Sequence, residues 1–156
     1  MKKALSLIII SCFLFSCNNN KSAELKNDTV VINNDTVPDV RTNIKTTPIV
    51  TYQEKVKDEL NDWNFAVQIF ETKKTFHFLM KVKYKEVFGN DTLKIPNFGI
   101  DPKIEIHQGK EKNSCIVGFI DKQNIFREYK LVAVKNDELQ IKTLKHYGVY
   151  NTTKTY

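Results

Sequence analysis

The chain has 156 residues, 41% of them hydrophobic, with 24 Lys and Arg against 18 Asp and Glu for a net charge of +6. That length suits a single domain, and a share of apolar residues this large argues against a wholly disordered chain. Three cysteines are too few for a disulfide-dense scaffold, and five glycines leave little material for a phosphate-cradling loop.

Lys2 and Lys3 open the chain, and an apolar run from Ala4 to Phe15 follows, broken only by Ser6, Ser11 and Cys12. Crossing a hydrocarbon core of about 30 Å takes roughly 20 apolar residues, so this run is too short to span. It reads as a secretory signal with a small residue before the cut. Leu14-Phe15-Ser16-Cys17 ends it and polar Asn18-Asn19-Asn20 begins at once. This ending resembles the lipobox of bacterial lipoproteins, with bulky Phe15 at its tolerant position. The resemblance covers only this N-terminal segment. It implies that residues 1–16 are removed, that Cys17 is acylated, and that the protein is held in the cell envelope, the outer membrane favoured over the inner. One acyl chain binds reversibly at about 0.8 kcal/mol per buried methylene, whereas two or three hold permanently. Cys115 is then the one free thiol, so no intramolecular disulfide can form and an apolar core must supply the stability.

Processing would lower the net charge to +4, unevenly shared: residues 18–72 balance at −3 and residues 73–156 at +7. A basic C-terminal half suits an acidic partner, an anionic headgroup or plain solubility. Residues 17–50 read as the lipidated Cys and a flexible polar tether, because they cannot bury enough apolar surface to offset ordering. The tether contains Asn27-Asp28-Thr29-Val30 and Asn34-Asp35-Thr36-Val37, and Asn90-Asp91-Thr92-Leu93 echoes them later. Asp-Thr-aliphatic resembles the O-glycosylation sequon of the Bacteroidota envelope, which implies sugar at Thr29, Thr36 and Thr92. Asx-turns are the plain alternative.

A single globular domain is expected over 51–150, with 151–156 a polar tail. Thr51 and Glu54 form a capping box, and Tyr52, Val56, Leu60 and Trp63 fall at helical spacing, which predicts a helix near 52–61. From Trp63 the period becomes two. Trp63, Phe65, Val67 and Ile69 share one face; Phe76, Phe78, Met80, Val82 and Tyr84 share another, with Lys81, Lys83 and Lys85 opposite. These segments predict an antiparallel hairpin. Residues 88–102 read as a long apolar loop containing Phe88, Ile95, Phe98 and Ile100, either a binding surface or a cap on the sheet. Ile104 and Ile106 form a short strand, and Cys115, Val117 and Phe119 another. Tyr129, Leu131 and Ala133 mark a strand near 125–134. Asn136-Asp137 turns into a last strand with Leu139 and Ile141, and Leu144 breaks its phase, suggesting a bulge. The fold class is therefore α+β, mainly β: one N-terminal helix and a curved antiparallel meander of about six strands. A small lipocalin-like β-barrel is the alternative.

His77, His107 and His146 lie far apart in sequence, and no Cys-x2-Cys or His-x3-His spacing occurs, so no metal site is nominated. Cys115 sits on an apolar face, which predicts a buried inert thiol rather than a nucleophile. No Gly-x-Ser-x-Gly elbow, Ser-x-x-Lys pair or paired carboxylates point to catalysis. The reading is a membrane-anchored, non-catalytic binding module without cofactor, taking a protein partner as an accessory subunit, inhibitor or immunity-type factor. Its candidate contacts are Phe88, Ile95, Phe98, Ile100, Lys81, Lys83 and Lys85. Alternating Lys also protects sheet edges and solvates surfaces. Nucleic acid is not expected, because the aromatics point away from the lysines. The alternative function is a carrier or sensor of a small apolar ligand, held against Phe76, Phe78 and Met80.

Overall fold

The computed structural model describes residues 37–147. The signal segment, Cys17, Thr29 and Thr36 lie outside the described residues, as do 148–156. Within them the chain forms eight strands: β1 Val50–Lys55, β2 Asn64–Glu71, β3 His77–Tyr84, β4 Val87–Lys94, β5 Lys103–Gln108, β6 Ser114–Ile120, β7 Phe126–Lys135 and β8 Glu138–Thr143. They make two four-stranded antiparallel sheets, β1-β2-β3-β4 and β5-β6-β7-β8, each a simple meander. The protein is mainly β. Neither a helix nor a closed barrel is present among the described residues.

The expected helix over 52–61 is corrected to a strand and a loop. Val50, Thr51 and Tyr52 favour extended backbone, and Val50–Lys55 pairs in register with Ile69–Asn64. Val50, Tyr52, Glu54 and Val56 alternate inward, a period of two that coexists in the sequence with the period of four. Packing against β2, including an edge-on Tyr52–Phe65 contact at 6.1 Å, decides between them. Glu54 caps no helix. Its Oε2 accepts from the Asn113 amide at 3.0 Å and so joins β1 to the β5–β6 turn. Leu60, assigned to the helix's apolar side, is 93% exposed.

The hairpin of β2 and β3 forms as expected, with Phe65 opposite Tyr84 and Ile69 opposite Met80. Residues 87–94, expected within a loop, are strand β4, joined to β3 by a two-residue turn in which Lys85 takes φ 53°. What remains of the loop is 95–102. It crosses from the first sheet to the second and closes one end of the core with Ile95 and Phe98, the latter 5.6 Å from Phe119. The eight strands thus exceed the expected six by β1 and β4.

In β7 the expected apolar face is out of phase. Lys130 and Val132 are buried, while Leu131 and Ala133 lie half-buried on the outer side. A bulge explains the slip: Val117 faces Lys130 but Gly118 faces Glu128, leaving Tyr129 as the extra residue. The bulge suggested at Leu144 is not found: β8 pairs with β7 without a register shift, and just beyond it the Leu144 amide continues the ladder by donating to the Tyr129 carbonyl at 2.8 Å. Gly118 is required at the β6–β7 bulge, because a Cβ would lie 2.3 Å from the Arg127 carbonyl and 2.6 Å from the Phe126 ring. The β7–β8 turn, Asn136-Asp137, has both residues at positive φ (51° and 65°), the two-residue hairpin form that Asn and Asp tolerate.

The sheets share one core. Phe65, Val67, Ile69 and Met80 of the first sheet and Cys115, Val117, Phe119 and Val132 of the second are all fully buried. Leu139 and Ile141 of β8 pack over Gly89 on β4, where a Cβ would meet them at ordinary contact distances of 3.5 Å and 3.8 Å. Lys130, buried on β7, reaches across to Asp91 on β4 in an ion pair. One end of the molecule carries the β2–β3 turn, the 95–102 linker and the β6–β7 turn. The other carries the β1–β2 loop, the β3–β4 turn and the turns of Asn113 and Asp137.

Candidate functional site

Alternation sorts the first sheet's charges onto opposite faces. The strand carboxylates Glu54, Glu71 and Asp91 all fall on the inward phase. The outward phase of the same four strands holds Lys55, His77, Lys81, Lys83 and Lys94 among Thr51, Gln53, Gln68, Asn90, Thr92 and rings, with no Asp or Glu. This face is the candidate site. Lys55 pairs with Asp62 at 3.0 Å in the adjoining loop. Among the described residues, no carboxylate forms an ion pair with Lys81, Lys83 or Lys94.

The lysines are posed by rings on their own face, which corrects the expectation that the aromatics all point away from them, because Phe70 and Phe88 share the outward phase of the neighbouring strands. Lys81 places Nζ 4.8 Å from the centre of the Phe70 ring on β2, and Lys83 places Nζ 5.7 Å from that of Phe88 on β4. An ammonium over an aromatic face gains about 0.5–1 kcal/mol at an exposed site, enough to bias long side chains. The neighbouring lysines therefore lean toward opposite strands and their charges do not converge on one small anion. His77 lies beside Lys94 across the β3–β4 ladder, and burial with nearby Lys74 and Lys94 holds its pKa below the ordinary value.

Lys85 behaves differently. It lies in the β3–β4 turn, 5.0 Å over Trp63, with Nζ 2.7 Å and 2.9 Å from the Asp137 oxygens. The Tyr84 hydroxyl donates to the same carboxylate at 2.7 Å. Hydrogen bonds from Lys85 and then Tyr84 hold Asp137 below the usual carboxylate range. This cluster joins the sheets at one end and leaves Lys85 already paired.

The apolar candidates divide. Phe88, on the outward face, is 73% exposed and Ile100 is 39% exposed. Ile95 (2%) and Phe98 (7%) are core residues that close the end of the sheets, so they offer no contact surface. Thr92 lies exposed on the outward phase of β4. The lysines do not protect an edge, because β3 is flanked by β2 and β4. Cys115 is fully buried, and burial pushes its thiol pKa up to about 12, leaving no thiolate for chemistry. His77 and His107 lie on different sheets, both on outward phases, with His107 stacked 3.8 Å from the Phe126 ring.

Residues 37–49, read from the sequence as tether, fasten to the β2–β3 turn. Arg41 donates to the carbonyls of Thr72 at 2.8 Å, Lys74 at 2.7 Å and Thr75, and its guanidinium lies 4.6 Å over Phe78. The Thr75 amide donates to the Asp39 carbonyl at 2.9 Å. Burial lowers the Arg41 pKa, with Glu71 and Asp101 opposing. A groove of about 420 Å³ runs beside it, lined by Val37, Pro38, Thr42, Glu71 and Asp101 among others. Arg41 is consumed by carbonyls, so the groove presents no free cation. No lone-residue signal distinguishes this clamp in the sequence beyond an Arg within a polar stretch.

These features define a class: a mainly β fold of two four-stranded antiparallel sheets, with a cationic, ring-supported face on the first. No protein-family model matches the chain, and neither a curated protein nor a solved structure matches it.

Proposed function

We propose that the protein is an envelope lipoprotein, anchored through acylated Cys17, whose domain is a non-catalytic module that docks an acidic protein partner on the outer face of the first sheet. The observation that carries this reading is the sorting of charge: lysines outward, strand carboxylates inward, with Phe88 exposed among the lysines. Lys81 leans toward Phe70 on β2 and Lys83 toward Phe88 on β4, which spreads their charge across the face and suits a protein surface better than a single small anion. Exposed charge pairs are worth about 0–1 kcal/mol each, so affinity would rest on a buried anchor, and Phe88 is the ring placed for it. The lysines would steer encounter and select an acidic surface. The role is that of an accessory subunit, inhibitor or immunity-type factor.

No observation favours the carrier reading, since Phe78 and Met80, which would line a cavity, pack in the common core. A cross-linked pull-down of the acylated protein from its own membranes tests the docking reading. One near-stoichiometric partner is expected, lost with Phe88→Asp and with the unanchored Cys17→Ser control. Equal recovery with Phe88→Asp would sink it.

A further inference from the structure

Exposed aliphatic side chains from three separate segments meet at one end of the molecule. Val40 (51% exposed) and Ile44 (46%) lie in the entry segment, Ile100 (39%) in the 95–102 linker and Ile125 (48%) in the β6–β7 turn. The Val40–Lys74 bridge, and the Lys45 amide donating to Glu71 Oε2 at 2.9 Å, place the entry segment on the β2–β3 turn. Val40 and Asp101 line one groove, and pairing of Lys103 with Ile120 brings the β6–β7 turn beside the linker. None of these aliphatic side chains belongs to the core.

Around them stand Lys45, Lys73, Lys74, Lys94 and Lys122, all exposed. Among the described residues no carboxylate forms an ion pair with any of them. Two carboxylates of this end are already engaged: Glu71 lies 3.8 Å from Arg41, and buried Asp121 binds Arg127 at 2.6 Å. Asp39 and Asp101 are left exposed. The opposite end also exposes apolar side chains, Leu60, Val87 and Phe88, but Asp58, Glu59, Asp62 and Glu86 are exposed in the same loops. Its Lys55 and Lys85 are paired to Asp62 and Asp137. Aliphatic side chains rimmed by unpaired ammonium groups suit an anionic lipid surface, whereas a rim of carboxylates is repelled by one.

We infer that the end at which the chain enters the domain rests on the membrane that holds Cys17, with Val40, Ile44, Ile100 and Ile125 at the headgroup boundary and the lysines among anionic headgroups. The inference rests on the lipoprotein reading. The path of the chain names the occupant: residues 17–36 join the anchor to Val37, and the Arg41 bonds to the Thr72 and Lys74 carbonyls fix that entry to this end. A coil of about twenty residues typically bridges about 25 Å. That falls short of the roughly 33 Å length of a ten-residue strand such as β7. The anchor therefore presents this end to the bilayer rather than the opposite one, and tethering makes a contact that is weak in free solution persistent. The lysine face of the first sheet then stands up from the membrane, open to its protein partner.

The test uses the acylated full chain with one cysteine placed at Ile44, Ile125 or, as a control, Leu60, each labelled with the environment-sensitive dye NBD. Buried Cys115 does not compete for the label. Emission is read on vesicles of phosphatidylcholine with phosphatidylglycerol and on phosphatidylcholine alone, while flotation scores the anchor separately. On the mixed vesicles, labels at 44 and 125 should brighten at least twofold and shift to the blue, with position 60 unchanged. Lys73→Glu with Lys122→Glu should abolish that change on vesicles the chain still binds. A chain that floats with the vesicles while 44 and 125 stay water-like would overturn the seating and leave the anchor standing. A chain that does not float would overturn the anchor, and the seating with it. Equal brightening at 60, or on vesicles without phosphatidylglycerol, would overturn the assigned end or its charge selection. Benzoylphenylalanine at position 125 in the protein's own cells separates the occupants. A lipid adduct is expected, and an adduct with another protein or a second copy of this chain would overturn the membrane as occupant.

Discussion

Two phenylalanines ten residues apart show how burial assigns roles that residue type cannot. Phe98 closes the core against Phe119, whereas Phe88 stands in water beneath Lys83. Phe98→Ala should cost about 3–5 kcal/mol, as large-to-small core changes do. Phe88→Ala should stay within about 0.5 kcal/mol of the parent. Chemical denaturation of both variants checks the contrast, and similar losses would contradict it. Cys115 gives a second residue-scale outcome. With its pKa pushed up to about 12 and no exposed surface, it should resist a thiol reagent at pH 8 in the native protein and react fully in denaturant. Rapid native labelling would mean that the core opens.

At the scale of elements, Arg41 turns a polar segment into part of the domain. Removing its guanidinium by Arg41→Ala takes the side-chain donor from the Thr72 and Thr75 carbonyls, while the Lys74 carbonyl keeps the His77 amide and the Thr72 hydroxyl, and should cost about 1–3 kcal/mol. The Thr75 amide, which donates to Asp39, should then exchange hydrogen faster while β3 amides hold. Unchanged exchange at Thr75 would show that the clamp does not hold the segment. The hairpin of β2 and β3 is legible in the sequence because its alternation is strict and its buried side chains are large. β1 is hidden because Tyr52, Val56, Leu60 and Trp63 satisfy a helical period, and only pairing with β2 decides otherwise. β4 is hidden because its outward residues include Phe88 and its inward ones Gly89 and Asp91, inverting the usual pattern. In β7, Lys130 reads as a surface residue until its partner Asp91, 39 positions away, is seen across the core. The lysine face is legible by alternation, but which apolar residues flank it is decided by the path of the 95–102 linker, a tertiary matter.

For the whole molecule, the sheets are tied at one end by Tyr84, Lys85 and Asp137. Asp137 has a folded pKa below its ordinary value, so its contribution is fully present above the unfolded pKa of about 3.9 and fades as pH falls through the folded value. Asp137→Asn should therefore lower the melting temperature at pH 7, and the two proteins should converge as the pH drops below about 4. A gap that persists in acid would place the loss elsewhere. The larger claim is that outward charge on the first sheet selects the partner. Lys81 and Lys83 are surface residues, so reversing them should leave folding intact and remove recognition. The most direct measurement is the amount of partner cross-linked to the acylated chain in its own membranes, with and without Lys81→Glu and Lys83→Glu together. A loss of at least tenfold at an unchanged melting temperature is the predicted result. Equal recovery from the charge-reversed protein would contradict the docking face altogether.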